Sequence, residues 1–178
     1  MLKGADRLRR SLIPSLLEVR RVNESLGNPV IELFETARVF LPVPGDLPRE
    51  QWTLAVVSGG DYYRVKGVIE AVLAALRPGT RLEAGDTRQP LLDSVTSSEL
   101  RVQGQCLGYL GELSAVGLQH SGLRSPATVA EIRMSVLVEL ADLIPRYSEQ
   151  SPYPAIDRDL NLIVDESVRW ADLAETVQ

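Results

Sequence analysis

The chain has 178 residues with 19 basic and 24 acidic side chains, for a formal net charge of −5, and it is 44% hydrophobic and 24% charged. Such a composition excludes a disordered chain, and the length suits one domain, or one and a fraction, able to bury a core without metal or disulfide staples. One cysteine (Cys106) and one histidine (His120) exclude an internal disulfide and a Cys/His zinc cluster.

Charge occupies the first residues, where a secretory leader would need its apolar stretch, and the longest clean aliphatic run is Ala71–Leu76, far short of the roughly 20 residues that span a bilayer. The chain reads as soluble and cytoplasmic. Its acidic balance argues against a broad nucleic-acid-binding face. Bases concentrate in residues 1–24 and acids in 155–178, which is expected of solvated faces at the two ends.

The first expected element is a helix over Pro14–Leu26. Pro14 suits the first helical position, Gly27 a C-terminal cap, and Asn28-Pro29 prevents continuation. Leu16, Val19 and Leu26 fall on one stripe, which Leu17 and Val22 widen, while Arg20, Arg21 and Glu24 lie mostly off it. Residues 30–41 switch to a period of two. Ile31, Leu33, Ala37, Val39 and Leu41 share a face that only Glu35 interrupts, so a strand follows. A Pro/Gly-marked loop (42–51) and a second strand (Trp52–Ser58) complete an antiparallel hairpin. Gly59-Gly60 lacks the following Gly-Lys-Ser/Thr of a phosphate loop and reads as a turn. Asp61 is an N-cap for a helix over Tyr62–Leu76, with Val65, Val68, Ile69, Val72, Leu73 and Leu76 on one stripe.

Beyond Pro78-Gly79 the expected elements are short strands at Arg81–Ala84 and Leu100–Gln105 around a polar loop at Asp86–Pro90. A strand at Cys106–Leu113 follows, with glycines at points of close packing. After it come a short helix at Ala115–His120, a strand at Ala130–Val136 and a short helix at Glu139–Ile144. Residues 146–154 have linker composition. Leu160–Val164 then reads as a strand, Asp165–Ser167 as a turn, and a helix begins at Ser167 or Val168. One strand and one helix cannot bury a core alone, so the chain is expected to end inside a second domain.

Four stretches carry a family resemblance: Leu8–Val19 with its continuation Leu33–Phe40; Asp61-Tyr62-Tyr63-Arg64-Val65-Lys66-Gly67; Leu107-Gly108-Tyr109-Leu110-Gly111-Glu112-Leu113; and Tyr153–Leu160 leading to Val164-Asp165. In this order and spacing they resemble the β subunit of bacterial-type phenylalanyl-tRNA synthetase. The match is weakest at 78–105 and 114–130, and Ser114-Ala115 stands where the family usually has His-Pro.

The resemblance implies an α+β fold: an antiparallel sheet flanked by helices, like the class II aminoacyl-tRNA synthetase core, over 1–150. Residues 151–178 would be the truncated start of a ferredoxin-fold anticodon-binding domain. The upstream modules of the subunit, its editing module included, have no counterpart in this sequence. Class II chemistry needs an arginine on the ATP α-phosphate, where charge builds up. At the positions the resemblance aligns, Leu33 replaces that arginine, and no arginine follows the Gly108/Gly111 strand, where Glu112 and Leu113 stand. The implied role is therefore non-catalytic, with no catalytic or metal-binding residue. No cofactor is expected on this chain, since ATP and magnesium belong to the parent enzyme. The implied partners are the α subunit and, through the complex, tRNA, with no membrane; a homodimer is the alternative in isolation.

For subunit docking the candidate residues are Leu12, Leu16, Val19, Leu26 and Phe34, although a core stripe would give the same pattern. Glu35 reads either as a residual-pocket residue or as a hydrogen-bonded structural carboxylate; the cost of burying an unpaired charge favours the second. Arg158 reads either as an RNA contact or as part of a local salt bridge. His120 reads as a surface or capping residue and Cys106 as a small buried hydrophobe. Two rival functions remain: a stand-alone ATP-dependent ligase, and a ligand-binding or regulatory module that reuses the sheet pocket.

Overall fold

Residues 7–144, 153, 154, 156, 158–168 and 170–177 are described by the computed structural model. The chain divides into two units, Met1–Pro145 and Arg146–Gln178. In the first, helix α1 (Ile13–Ser25) leads into strand β1 (Leu33–Leu41) and its hairpin partner β2 (Arg49–Ser58). Helix α2 (Tyr62–Leu76), strands β3 (Glu83–Asp86), β4 (Leu92–Val102) and β5 (Gln105–Leu113), helix α3 (Ala115–Ser121), strand β6 (Thr128–Arg133) and helix α4 (Met134–Leu140) follow. The strands form one sheet in the order β1-β2-β6-β5-β4-β3, with every neighbouring pair antiparallel.

Alternation along the central strands makes two cores, one on each side of the sheet. Val39, Ala55, Val57 and Val129 pack with Leu12, Ile13, Leu16 and Leu17 of the α1 side. Leu100, Leu110, Ala130 and Ile132 pack with Val65, Ile69, Leu73 and Leu137 on the α2–α4 side. This is the flanked antiparallel sheet that the family resemblance implied. Asp61 caps α2 as expected, accepting the Arg64 N–H at 2.8 Å. Where the sequence departs from the family pattern, Ser114 caps α3: its hydroxyl accepts the Gly117 N–H at 3.1 Å.

Several boundaries differ from the sequence reading. The β4–β5 reversal occurs at Gln103-Gly104, both at positive φ as a tight primed turn requires, so the expected strand over Leu100–Gln105 contains the turn itself. The first short strand lies at Glu83–Asp86 rather than Arg81–Ala84. The expected strand Ala130–Val136 ends at Arg133, where pairing with Thr53 ends, and the following residues coil into α4 so that Leu137 and Leu140 reach the sheet. The expected helix at Glu139–Ile144 is therefore displaced towards the N-terminus. On α2 only half of the stripe is buried, because the sheet reaches Val65, Ile69 and Leu73 and leaves Val68 and Val72 outside. Burial of those three side chains stabilises by about 1.5–3 kcal/mol each before entropy is counted.

In the second unit, helix α5 spans Trp170–Val177. Asp165 forms the expected turn, accepting from the Ser167 N–H (2.9 Å) and hydroxyl (2.6 Å), with its carbonyl accepting the Val168 N–H. The expected strand over Leu160–Val164 does not form: these residues are irregular and exposed, since an apolar segment becomes a strand only beside a hydrogen-bonding neighbour. Most of the expected linker 146–154 lies outside the described residues.

Gly108 lies on β5 close against the backbone of β6: a Cβ there would meet the Glu131 carbonyl oxygen at 2.0 Å. Gly67, in the exposed middle of α2, has open space around it. Gly108→Ala is expected to lower the unfolding free energy by about 1–3 kcal/mol through overpacking against backbone, whereas Gly67→Ala raises it by about 0.5–1 kcal/mol. Urea denaturation of the two variants checks both signs.

Candidate functional site

Strand register sets a polar row across the α1 side of the sheet. Glu35 pairs with Ala55, Ala55 with Glu131, Glu131 with Tyr109, and Tyr109 with Glu99. The segment before α1 crosses this row, and its polar groups meet the carboxylates from above. Glu131 Oε1 accepts the Leu12 N–H at 2.7 Å, which satisfies a donor at the start of α1, and Oε2 accepts the Tyr109 hydroxyl at 3.1 Å. Burial and the neighbouring Glu131 charge push the Tyr109 phenol well above its usual range, so it stays protonated as a donor.

Glu35 forms an ion pair with Arg9 at 2.8 Å. Arg9 also donates from Nε to the Arg38 carbonyl (3.3 Å), and its own carbonyl accepts the Phe40 N–H (2.8 Å). Glu35 is thus a partnered carboxylate at the edge of the sheet. The nearest polar recess on this face, about 260 Å³, opens further along the strands among Arg10, Arg49, Thr53, Tyr109, Glu131 and Arg133, and Glu35 is not in its lining.

At the other end of α1 is a residue that the sequence reading placed on the solvated side. Arg20 is 3% exposed. It donates to the Ile31 carbonyl (2.9 Å) and the Pro126 carbonyl (3.0 Å), and its Nε lies 3.6 Å from Glu24. Glu24 in turn accepts the Arg124 N–H at 3.0 Å. This clamp ties α1 to the entrances of β1 and β6. Helical spacing alone cannot reveal it, because the elements that cover Arg20 are distant in sequence.

The candidate docking residues separate. Leu12 and Leu16 belong to the chain's own core and leave no surface for a partner. Val19 (45%), Leu26 (72%) and Phe34 (76%) are exposed, and Val22 and Val30 join them. Arg158 is exposed in the second unit. His120 is a surface residue in the last turn of α3, and Cys106 is half-buried rather than buried. Among the described residues no group of three or more His, Cys, Asp or Glu side chains is placed to hold a metal, and no helix is long and apolar enough to cross a membrane. Sequence reasoning did not single out Arg20, Tyr109 or Glu131. Only Glu131 carried a signal, as the one carboxylate in the run Val129-Ala130-Glu131-Ile132.

The six-stranded antiparallel sheet with these flanking helices has the fold of class II aminoacyl-tRNA synthetase domains among solved structures. Two solved structures of pyrrolysyl-tRNA synthetase from Desulfitobacterium hafniense share it, with TM-scores of 0.59 and 0.60 at 14% and 17% identity, covering 74% and 78% of this chain and 49% and 51% of theirs. The family profile "Phenylalanyl tRNA synthetase beta chain CLM domain" matches residues 3–134, and the chain belongs to this family. The phenylalanine–tRNA ligase β subunit of Rhodopirellula baltica is 36% identical over 189 residues, covering all of this chain and 28% of that protein. The Clostridium tetani subunit is 27% identical over 175 residues, covering 96% of this chain and 22% of that one. The chain therefore spans about a quarter of the length of these relatives.

Arg20→Met leaves Glu24 short of its cation and two carbonyls without donors. Its expected cost is about 3–5 kcal/mol in chemical denaturation, against less than about 1 kcal/mol for Arg21→Met, which breaks only the exposed pair with Glu18. For Tyr109 the sign follows from its raised folded-state pKa. Below the ordinary tyrosine value both states hold the proton; above it the unfolded chain releases the proton first, and native stability falls. Between about pH 8 and about pH 10.5, wild type is expected to lose more stability than Tyr109→Phe, measured by urea titration at each pH.

Proposed function

We propose that this module is a non-catalytic scaffold of a phenylalanine–tRNA ligase β subunit. In this reading it docks the α subunit and supports the assembly that attaches phenylalanine to tRNA. The observation that carries the reading is the exposed apolar set Val19, Val22, Leu26 and Val30 on α1 and its connection, with the exposed Phe34 following at the start of the edge strand β1. Exposed apolar side chains that continue from one element to the next mark a surface meant to be covered.

The absence of catalysis is supported by what the candidate phosphate-holding positions do instead. Leu33 packs against the core beneath α1. The Glu112 carboxylate accepts the Tyr62 N–H at 2.9 Å and so helps to fix the start of α2. Both positions serve packing and capping. Residues 151–178 would belong to the ferredoxin-fold anticodon-binding domain, and the exposed Arg158 would then be free to approach RNA.

Mixing the chain with a phenylalanyl-tRNA synthetase α subunit at micromolar concentration is expected to give a co-eluting complex in size-exclusion chromatography with light scattering. Replacing Leu26 and Phe34 together with Asp is expected to weaken it at least about tenfold, in keeping with a loss of 1–2 kcal/mol at an apolar contact, without loss of fold. A homodimer that persists when the α subunit is added, or no complex at all, would count against the reading.

A further inference from the structure

We propose that the recess on the α1 side of the sheet binds a small, multiply charged oxyanion, such as a phosphate or polycarboxylate metabolite. Its lining brings together Arg10 from the segment before α1, Arg49 from the start of β2 and Arg133 from the end of β6. Among the described residues, none of these three side chains has an ion-pair or side-chain hydrogen-bond partner, although the chain as a whole carries a net charge of −5.

The two carboxylates of the recess are already engaged. Glu99 pairs with Arg101 at 2.7 Å, and both oxygens of Glu131 accept hydrogen bonds, from the Leu12 N–H and the Tyr109 hydroxyl. The three unpaired guanidinium groups of the recess therefore outnumber its one carboxylate without a cationic partner, Glu131. Arginine presents a planar fork of donors that matches oxyanions, and three forks around one recess favour more than one negative charge.

A second observation comes from Thr53, which pairs with Arg133 across β2 and β6 and lines the same recess. Its side chain is buried, and its hydroxyl has no hydrogen-bond partner. A buried hydroxyl left unpaired costs free energy, and a turn of the Thr53 side chain toward the recess that it lines would let an anion oxygen supply the missing acceptor. The recess measures about 260 Å³, which limits the ligand to a compact molecule. This inference stands independently of subunit docking, because it concerns a different set of residues.

Isothermal titration of the whole chain with inorganic phosphate and with citrate tests the proposal. Both are expected to bind, citrate more tightly, with affinity falling as sodium chloride is raised. Arg49→Gln and Arg133→Gln are each expected to weaken citrate at least about tenfold, the loss of one charge-assisted contact. Arg38→Gln, whose side chain is held by Glu50 and lies over Trp52, should leave binding unchanged. Thr53→Val is expected to raise the melting temperature of the free chain while weakening the anion, a pair of effects that a purely structural hydroxyl would not give. No heat at about 10 mM ligand, or equal binding by wild type, Arg49→Gln and Arg133→Gln, overturns the proposal. So does binding of an RNA oligonucleotide with no binding of either small anion.

Discussion

Glu131 stands in a central strand with apolar neighbours before and after it, and a carboxylate in that position has to find donors or be expelled. It finds one from below, in the Tyr109 hydroxyl on the adjacent strand, and one from above, in the Leu12 N–H at the start of α1. The second bond settles where the helix begins its path over the sheet. Arg20 settles where it ends, by reaching the carbonyls of Ile31 and Pro126. Between these two polar anchors the apolar residues Ile13, Leu16 and Leu17 have little freedom but to pack on Val39, Val57 and Val129. Hydrophobic burial supplies most of the stabilisation, and the anchors choose among the ways of burying the same surface.

That placement of α1 has two consequences on opposite sides of the helix. One flank leaves Val19, Val22 and Leu26 outward, and the exposed Val30 follows in the connection to β1. The other leaves the far ends of the strands uncovered, so that Arg10, Arg49 and Arg133 surround an open recess instead of being buried under the helix. The proposed docking surface and the proposed anion site thus share one geometric cause, although their residues are separate.

Much of this fold was legible in the sequence because its signals are local. The Asp61 cap, the period of two through Leu33–Leu41, the Pro14 start of α1 and the glycines of β5 each report conditions set within a few residues, and all of them appear in the structure. The failures share a different cause. Leu160–Val164 has the apolar, β-branched composition of a strand, but strand formation needs a neighbour that composition cannot promise. The run after Arg133 is apolar enough for strand or helix, and the end of pairing with β2 after the Thr53–Arg133 pair decides it. Arg20 and Glu24 look solvated on a helical wheel and are buried by loops about 100 residues away. The recess was illegible for the same reason, since its three arginines come from three separate places in the chain. Glu35 could be named from the sequence, but its pairing with Arg9 could not.

Arg9 has an effect that extends past its ion pair. Strand β1 forms one margin of the sheet, with its outward peptide groups ready to receive another strand. At Arg38 and Phe40 those groups are already taken, by the Arg9 guanidinium and the Arg9 carbonyl respectively. A further chain trying to zip along the full margin would collide with this plug at one end. Open-ended stacking of copies into fibrils is thereby obstructed by a single side chain and its own peptide group, while the opposite end of the strand, at Phe34, stays accessible to a partner.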